Sequence, residues 1–165
     1  KTINEVLTKI LEDTDINFFI STNKIILTQN SVIYESFPDF ETDTPNLGMV
    51  DYKFFCFDGI PKFVLVVSGR GNSTSNNFYD LEFNPFEVKG GFGASNHQIT
   101  KPDNFDSMIE IAKKLSEGLI HVRIDLYNIA GKIYFGEFTF HHNGGLTKFE
   151  DLNEDLRWGN FINLK

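Results

Sequence analysis

The sequence predicts a single α+β domain built around an antiparallel sheet. Short runs of β-branched and aromatic residues are separated by turn residues rather than by crossover helices, which favours hairpins. Two helical patterns, one at the start of the chain and one in its second half, accompany these runs. The chain has 165 residues, 41% of them hydrophobic, so it can build one sizeable core. The order helix, strands, helix, strands therefore indicates an α+β architecture.

The first elements are a helix and three short strands. Thr2 and Glu5 fit a capping box, and apolar residues then recur at helical spacing, which predicts a helix ending near Asp13. Polar residues split the next segment into short β-branched or aromatic runs. We therefore expect strands at residues 17–20, 24–27 and 31–36.

A hairpin and a long irregular segment follow. Residues 37–49 carry two prolines among acidic and polar residues and predict a loop. Residues 51–67 read as two strands joined by Asp58–Gly59, a dipeptide that favours a type I′ turn. Residues 68–101 are mostly small and polar, and we expect a long loop there, of the kind that is usually functional or mobile.

The second half begins with an amphipathic helix. Asn104 is the expected N-cap and Gly118 the expected stop. A hairpin over residues 122–140 comes next. The tail after Asp151 predicts a short helix near Leu152, followed by packing of Trp158, Phe161 and Leu164.

Composition excludes several classes of function. The net charge of −8 and a pI near 4.9 argue against nonspecific nucleic-acid binding, since such proteins carry basic surfaces. Cys56 is the single cysteine, so no internal disulfide forms and an intracellular, cytoplasmic protein is expected. The apolar stretches are too short to span a membrane, and no signal peptide is recognised. The start at Lys1, almost directly before a helical pattern, suggests a fragment of a longer chain.

The hairpin VRIDLYNIAGKIYFGEFTF (residues 122–140) holds two opposed acids. A three-residue loop centred on Gly131 would set Asp125 opposite Glu137 and Arg123 opposite Thr139. One face would then be a core face, comprising Val122, Ile124, Leu126, Phe138 and Phe140. The other face would continue from the charged residues into Tyr127, Phe135, Ile129 and Ile133.

Like charges on cross-strand neighbours repel, so Asp125 and Glu137 call for compensation. Three interpretations are open from the residues alone. The acids lie on a solvated face, or Arg123 forms a structural ion pair with one of them, or both hold a divalent cation such as Mg²⁺, which prefers oxygen ligands.

These strands resemble the metal-binding strands of ATP-grasp enzymes, in which Arg-x-Asp is followed by a Gly-containing turn and Glu-x-Asn. More narrowly, the chain resembles the TupA-like ATP-grasp family, which is associated with teichuronopeptide and capsular polysaccharide biosynthesis. The resemblance runs from about residue 30 to residue 164, through DYKFFCFDGIPKFVLVVSGR, NFYDLEFNPF, KPDNFDSMIEIAKKLSEG, the hairpin above and LRWGNFINL.

The resemblance implies roles for these side chains. Asp125 and Glu137 would hold Mg²⁺ against the phosphates of ATP, with Thr139 as a weaker ligand where many relatives have Asn. Arg123 would lie near the acyl phosphate and the tetrahedral intermediate. Lys53, which from the residues alone is more simply a snorkelling edge lysine opposite Val64, would point at the phosphates.

Further roles fall on less specific segments. Arg70 is a second candidate for phosphate or an acidic substrate. The stretch VIYESF resembles the hinge that reads adenine, which makes Tyr34, Glu35, Ser36 and Phe37 candidate nucleotide-binding residues. KGGFGAS (residues 89–95) lacks the spacing of a phosphate loop, and the pair His141–His142 is interpreted as incidental, since no third ligand is suitably spaced.

The resemblance also implies an organisation and a function. Residues 1–36 would be the remnant of an incomplete first nucleotide-binding subdomain with the hinge, and residues 37–165 the metal-binding catalytic subdomain. The function implied is an ATP- and Mg²⁺-dependent carboxylate–amine ligase that acts through an acyl phosphate, with a uronic acid or amino acid of a surface polymer as a plausible substrate. The alternative is a non-catalytic nucleotide- or glycan-binding relative.

Overall fold

The computed structural model describes residues 8, 12, 16–21, 24–29, 50–69, 74–88, 99–146 and 148–163. In these ranges the elements, in chain order, are β1 (Ile16–Ser21), β2 (Lys24–Gln29), β3 (Asp51–Phe57), β4 (Ile60–Ser68), β5 (Ser75–Tyr79), β6 (Pro85–Phe86), α1 (Phe105–Ser116), β7 (His121–Ile129), β8 (Lys132–Thr139), a 3₁₀-helix (His142–Gly145) and α2 (Leu152–Gly159). The helix predicted from Thr2 to Asp13, the strand at 31–36 and the loop at 37–49 lie wholly or almost wholly outside the described residues.

Six strands form one antiparallel sheet in the order β6-β5-β4-β3-β7-β8. β1 and β2 form a separate two-stranded antiparallel hairpin, and β2 lies close to β8. This arrangement confirms the predicted α+β class with an antiparallel sheet and flanking helices. The expectation of one long loop over residues 68–101 was wrong in part, because β5 and β6 extend the sheet there. These strands form because their aromatic residues Phe78, Tyr79 and Phe86 pack on the sheet.

One face of the sheet packs against α1. Helix α1 buries one side, comprising Phe105, Met108, Ile111, Ala112, Leu115 and Ser116. These apolar side chains meet residues from the central strands, among them Phe54, Val64, Val66, Val122, Ile124 and Leu126. Buried aliphatic and aromatic side chains of this size are each worth about 1.5–3 kcal/mol, so this layer is a major source of stability.

The opposite face carries an aromatic layer around Phe55 and Phe63. Both rings contact Trp158 of α2, with ring centroids 5.0 and 4.5 Å away. Phe161 packs beside them, as the sequence predicts for the tail, and Leu164 lies outside the described residues. The sheet is therefore covered on both faces, by α1 on one and by the C-terminal segment on the other.

Asn104 precedes α1 as expected, but its side chain makes no capping hydrogen bond, contrary to the prediction. Its amide instead donates to the carbonyl of Gly131 at 2.9 Å and accepts from Asn128 at 2.6 Å. The side chain thus joins the start of α1 to the tip of the β7–β8 hairpin. None of the helices in the described ranges has the length and apolar character needed to cross a lipid bilayer.

Candidate functional site

The β7–β8 hairpin aligns the charged residues through a two-residue turn and a bulge. Ala130 and Gly131 have φ of 49° and 73°, as a type I′ turn requires, so the predicted three-residue loop was wrong. One extra residue, Gly136, is inserted between the Asp125–Glu137 and Leu126–Phe135 pairs. The shorter turn and the inserted residue offset each other. Arg123 consequently pairs with Thr139 and Asp125 with Glu137, as predicted.

The bulge also changes which residues face the core. Ile133 and Phe135 were expected to extend the charged face, but beyond Gly136 they point to the opposite side and join the layer under α1. Phe138 packs at the edge of that layer, whereas Phe140, expected in the core, is 52% exposed because β8 ends at Thr139. On β7, Tyr127 and Ile129 keep the expected face beside Asp125 and are half-buried, so the expected continuation of the charged face holds for β7 and not for β8.

Gly136 is required by close packing at this bulge. A Cβ at this position would lie 2.9 Å from Cε2 of Tyr127 and 3.0 Å from the backbone oxygen of Asp125. The first distance is shorter than real Cβ contacts, and the second is at the short end of their range and is to a backbone atom. A residue without a side chain lets β8 approach β7 beside the carboxylate of Asp125.

Lys53 on β3 brings a cation to the same row of the sheet. It pairs with Asp125 on β7 and with Leu65 on β4. Val64 was the expected partner on β4, but a bulge in the β3–β4 hairpin shifts the register by one residue. Because β3 is an internal strand and Lys53 is buried, the interpretation as a snorkelling edge lysine is excluded.

Lys53 is held between two carboxylates. Its ammonium forms an ion pair with Oδ2 of Asp51 at 2.7 Å and another with Oδ2 of Asp125. Asp51 lies two residues earlier on β3, so its side chain is on the same face, and it is almost completely buried. Buried charges in proteins are paired with opposite charges, and here the Lys53 ammonium is paired with the carboxylates of Asp51 and Asp125.

Arg123 holds the two opposed carboxylates together. Its Nε and Nη2 atoms donate to Oδ1 and Oδ2 of Asp125 at 2.7 and 2.8 Å, which is a bidentate pair. Nη2 also lies 3.1 Å from Oε1 of Glu137 and 2.9 Å from Oγ1 of Thr139. The hydroxyl of Thr139 in turn donates to Glu137 at 3.1 Å.

The remaining nitrogen of the guanidinium, Nη1, contacts Nδ1 of His142. Burial, and after it the neighbouring Arg123 guanidinium, together lower the pKa of His142 to about 4. The imidazole is therefore neutral at pH 7. We call the seven residues that these contacts join the Arg123 cluster: Asp51, Lys53, Arg123, Asp125, Glu137, Thr139 and His142.

These contacts decide among the three interpretations of the acids. A solvated face is wrong for Asp125, which is 1% exposed, although the side chain of Glu137 is 61% exposed. The ion-pair interpretation is confirmed, and Arg123 bonds both carboxylates rather than one. The metal interpretation is compatible with this ion pair, because a cation would use the lone pairs of the carboxylate oxygens that the ion pair leaves unoccupied.

The oxygen donors of the cluster fit Mg²⁺ delivered with a nucleotide. In the described ranges no group of three or more His, Cys, Asp or Glu residues is arranged to hold a metal unaided. Magnesium, however, is commonly bound by one or two carboxylates together with substrate phosphates. A carboxylate offers about four lone-pair sites, and Oδ1 of Asp125 accepts one described hydrogen bond. Asp125, exposed Glu137 and the Thr139 hydroxyl thus supply suitable oxygens.

The structure brings together the five candidate residues that lie in its described ranges, out of ten. Lys53, Arg123, Asp125, Glu137 and Thr139 lie in one cluster. Arg70 and the nucleotide-binding candidates Tyr34, Glu35, Ser36 and Phe37 are outside the described residues.

Sequence reasoning missed Asp51 and His142. Asp51 carried a usable signal, since i and i+2 residues of a strand share a face and Lys53 was already a candidate. His142 carried none, because it follows the end of β8 and reaches Arg123 through the fold of the 3₁₀ segment. The histidine pair was discounted as a transition-metal site, and that reasoning did not anticipate the contact of His142 with Arg123, while His141 is exposed.

Thiol chemistry is excluded at the single cysteine. Cys56 is fully buried under α1, and burial raises the pKa of its thiol to about 12. Since the thiolate is the nucleophile and metal ligand, Cys56 is an inert core residue.

Comparison with known proteins assigns the family. The family model of the TupA-like ATP-grasp proteins matches residues 9–163, which is most of the chain. The comparisons with curated proteins and with solved structures gave no significant match. The family match includes every member of the Arg123 cluster, and it begins at residue 9, whereas the sequence resemblance was recognised only from about residue 30. The chain belongs to the TupA-like ATP-grasp family.

Proposed function

We propose that this chain carries the metal- and phosphate-binding part of an ATP- and Mg²⁺-dependent ligase, which joins a carboxylate to an amine through an acyl phosphate. Membership of the TupA-like ATP-grasp family supports ATP binding and an ATP-grasp function. The finer assignment follows the family resemblance: assembly of a cell-surface or capsular polysaccharide, with a uronic acid or an amino acid as substrate. The proposal assigns the reaction to the cytoplasm, where ATP is supplied.

The observation that carries the proposal is the setting of Arg123. Arg123 is 6% exposed, and its guanidinium is fixed by acceptors on all three nitrogens. A cation that is fixed before the reaction stabilises developing negative charge without the cost of reorganisation, and more effectively than in water.

The proposed reaction has two steps, and we assign residues of this chain to them. The substrate carboxylate attacks the γ-phosphorus of ATP, ADP leaves, and an acyl phosphate forms. The amine attacks the acyl carbon, and Arg123 stabilises the oxyanion of the tetrahedral intermediate until the C–O bond to phosphate breaks. Mg²⁺, when bound by Asp125, Glu137 and Thr139, would neutralise the charge of the β- and γ-phosphates. A phosphate bound beside Asp125 would also lie near the ammonium of Lys53.

The proposal keeps the roles that fall outside the described residues. Arg70 would provide a second cation for phosphate or for the acidic substrate. Tyr34, Glu35, Ser36 and Phe37 would contact the adenine and ribose. Residues 1–36 would belong to the first nucleotide-binding subdomain and the hinge, and residues 37–165 to the catalytic subdomain.

The test is ADP release by the full-length protein with Mg–ATP and panels of carboxylates and amines. We expect release that requires one carboxylate and rises when an amine is added. Asp125→Asn should lower it by about 10²-fold or more, because the variant loses a phosphate-side metal ligand. Asp106→Asn is the matched control, since the side chain of Asp106 is 85% exposed on α1 and should leave ADP release unchanged.

Two other outcomes contradict the ligase. Binding of Mg–ATP without ADP release for any substrate pair would identify a non-catalytic nucleotide-binding relative. Thr139, at the place of the Asn of many ATP-grasp enzymes, is the feature that makes this the second candidate. Absence of both binding and release would overturn the nucleotide assignment itself.

A further inference from the structure

The 3₁₀ segment after β8 directs His142 back onto the sheet. Asn143, Gly144 and Gly145 all have positive φ, of 48°, 65° and 75°, so the chain reverses immediately after His142. The imidazole packs edge-on against Phe55, with ring centroids 5.5 Å apart. Phe55 is itself the partner of Arg123 in the β3–β7 register. His142 therefore lies over the residue next to Arg123, half-buried between the aromatic layer and the charged residues.

The contact with Arg123 fixes the form of this histidine. A guanidinium has N–H donors and no acceptor, so Nδ1 of His142 accepts from Nη1 and carries no proton. The proton of the neutral ring is then on Nε2. Its lowered pKa agrees with this form at neutral pH.

A neutral acceptor here has a different effect from a third carboxylate. Asp125 and Glu137 hold one edge of the guanidinium, through Nε and Nη2, and their charges offset part of its positive charge. His142 holds the opposite nitrogen and fixes the plane without adding negative charge. The geometry is then set on both sides, while the cation keeps more of its effect on an oxyanion.

We infer that His142 is a positioning residue, which orients Arg123 for acyl transfer in the ligase reaction. The inference rests on the proposed function and adds to it a residue on a different segment from the metal-binding strands. His142 acts through Arg123 and touches neither nucleotide nor metal. Because small displacements of a reacting group cost large factors in rate, its loss should affect kcat more than binding.

The experiment compares four forms of the full-length protein in the ADP-release assay. His142→Phe keeps a ring against Phe55 but removes the acceptor. His142→Asn restores an acceptor oxygen close to the place of Nδ1. His141→Phe is the matched control, since His141 is the exposed neighbour. We expect His142→Phe to lower kcat about 10-fold or more with KM for ATP within a few-fold, His142→Asn to recover most of kcat, and His141→Phe to match the wild type.

A double-mutant cycle separates positioning from a general structural role. In an Arg123→Ala background, His142→Phe should cause little further loss, because the group that His142 orients is gone. A full additional loss in that background, equal kcat values for His142→Phe and the wild type, or no recovery in His142→Asn would each overturn the inference.

Nitrogen-15 NMR of the histidine rings supplies a readout that needs no turnover. Nδ1 of His142 should be unprotonated at pH 7 in the wild type, and its signal should shift in Arg123→Ala. A wild-type protein that releases no ADP would overturn both the ligase and the positioning role. Release of ADP with an unaffected His142→Phe variant would overturn the positioning role alone.

Discussion

Asp125 and Glu137 are paired directly across the β7–β8 hairpin and are joined by one atom, Nη2 of Arg123, which lies 2.8 Å from Oδ2 of Asp125 and 3.1 Å from Oε1 of Glu137. Two like charges at this separation would repel. The guanidinium removes the repulsion and leaves Glu137 open to solvent. Charge compensation and an accessible carboxylate thus occur at the same pair.

Removal of Arg123 should affect turnover more than nucleotide binding. On the proposed mechanism Arg123 acts on charge that develops during acyl transfer, so Arg123→Ala should lower kcat by about 10²-fold or more. Mg–ATP affinity should stay within a few-fold, because Asp125 and Glu137 remain. Arg123→Lys should recover little, since an ammonium cannot match two oxygens in one plane. Steady-state kinetics and calorimetric titration of nucleotide measure the two effects.

Folding is the control for that comparison. Arg123→Ala leaves the carboxylate of Asp125 buried with Lys53 as its remaining described cation, so its unfolding midpoint must be compared with that of the wild type. A folded variant with full turnover would reduce Arg123 to a structural partner of the acids.

Replacement of Lys53 should destabilise the sheet. Lys53→Met removes the ammonium that pairs with the two buried carboxylates of Asp51 and Asp125, while Arg123 still pairs with Asp125. Breaking a buried ion pair from one side typically costs about 3–5 kcal/mol in the free energy of unfolding. The double variant Lys53→Met/Asp51→Asn should recover part of this loss, because one of the two buried charges is removed. Urea unfolding of the single and double variants tests both statements; additive losses would contradict the pairing.

Gly136 should tolerate no side chain. Gly136→Ala places a Cβ against the backbone oxygen of Asp125, and overpacking of this kind costs about 1–3 kcal/mol. Gly159→Ala, at the end of α2, has open space and a helical backbone, and should be neutral or slightly stabilising. Equal unfolding midpoints for the two variants would show that the bulge can shift without cost.

The pKa of His142 predicts a pH dependence of stability. In the unfolded chain this histidine takes up a proton near pH 6.5, whereas in the folded protein burial and the Arg123 guanidinium lower its pKa to about 4. Between these values the unfolded state binds more protons, so the contribution of His142 is complete above pH 6.5 and is lost as the pH falls toward 4.

The measurement is the melting temperature of the wild type and of His142→Asn across this range. Any stability advantage of the wild type should shrink as the pH falls from 6.5 to 4. Subtraction of the two curves removes the contributions of groups that titrate in both proteins, including His121, whose pKa burial also lowers. Parallel curves would show that His142 is protonated alike in the folded and unfolded states.

The hairpin shows how far sequence reasoning reached and where it failed. The Asp58–Gly59 turn was predictable because its dipeptide has a strong backbone preference, and the α1 pattern was predictable from its spacing. Ala130 is an unusual residue at positive φ, so the β7–β8 turn was mistaken for a longer loop. The predicted pairing of Asp125 with Glu137 was nevertheless correct. The turn is one residue shorter than predicted, and the extra residue of the bulge, Gly136, restores the register.

Contacts that depend on the path of the chain after a strand were beyond sequence reasoning. His142 precedes Asn143, Gly144 and Gly145, which all adopt positive φ. Asn-Gly and Gly-Gly indicate a turn, but the direction in which the turn returns the chain depends on tertiary packing. The strands β5 and β6 were missed for a related reason. β5 begins with three polar residues and β6 is only Pro85–Phe86, so neither shows the usual alternation. Pairing of β5 with β4 and of β6 with β5, together with the packing of Phe78 and Phe86, stabilises them.

Phe55 contacts Trp158 on one side and His142 on another, and its neighbour in the sheet is Arg123. A protein shortened to end before residue 148 would keep every charged member of the cluster and the whole α1 layer. It would lose the indole that covers Phe55, so water would reach the aromatic floor beneath His142. Helix α2 therefore covers Phe55, the neighbour of Arg123 in the sheet, although none of its residues belongs to the cluster.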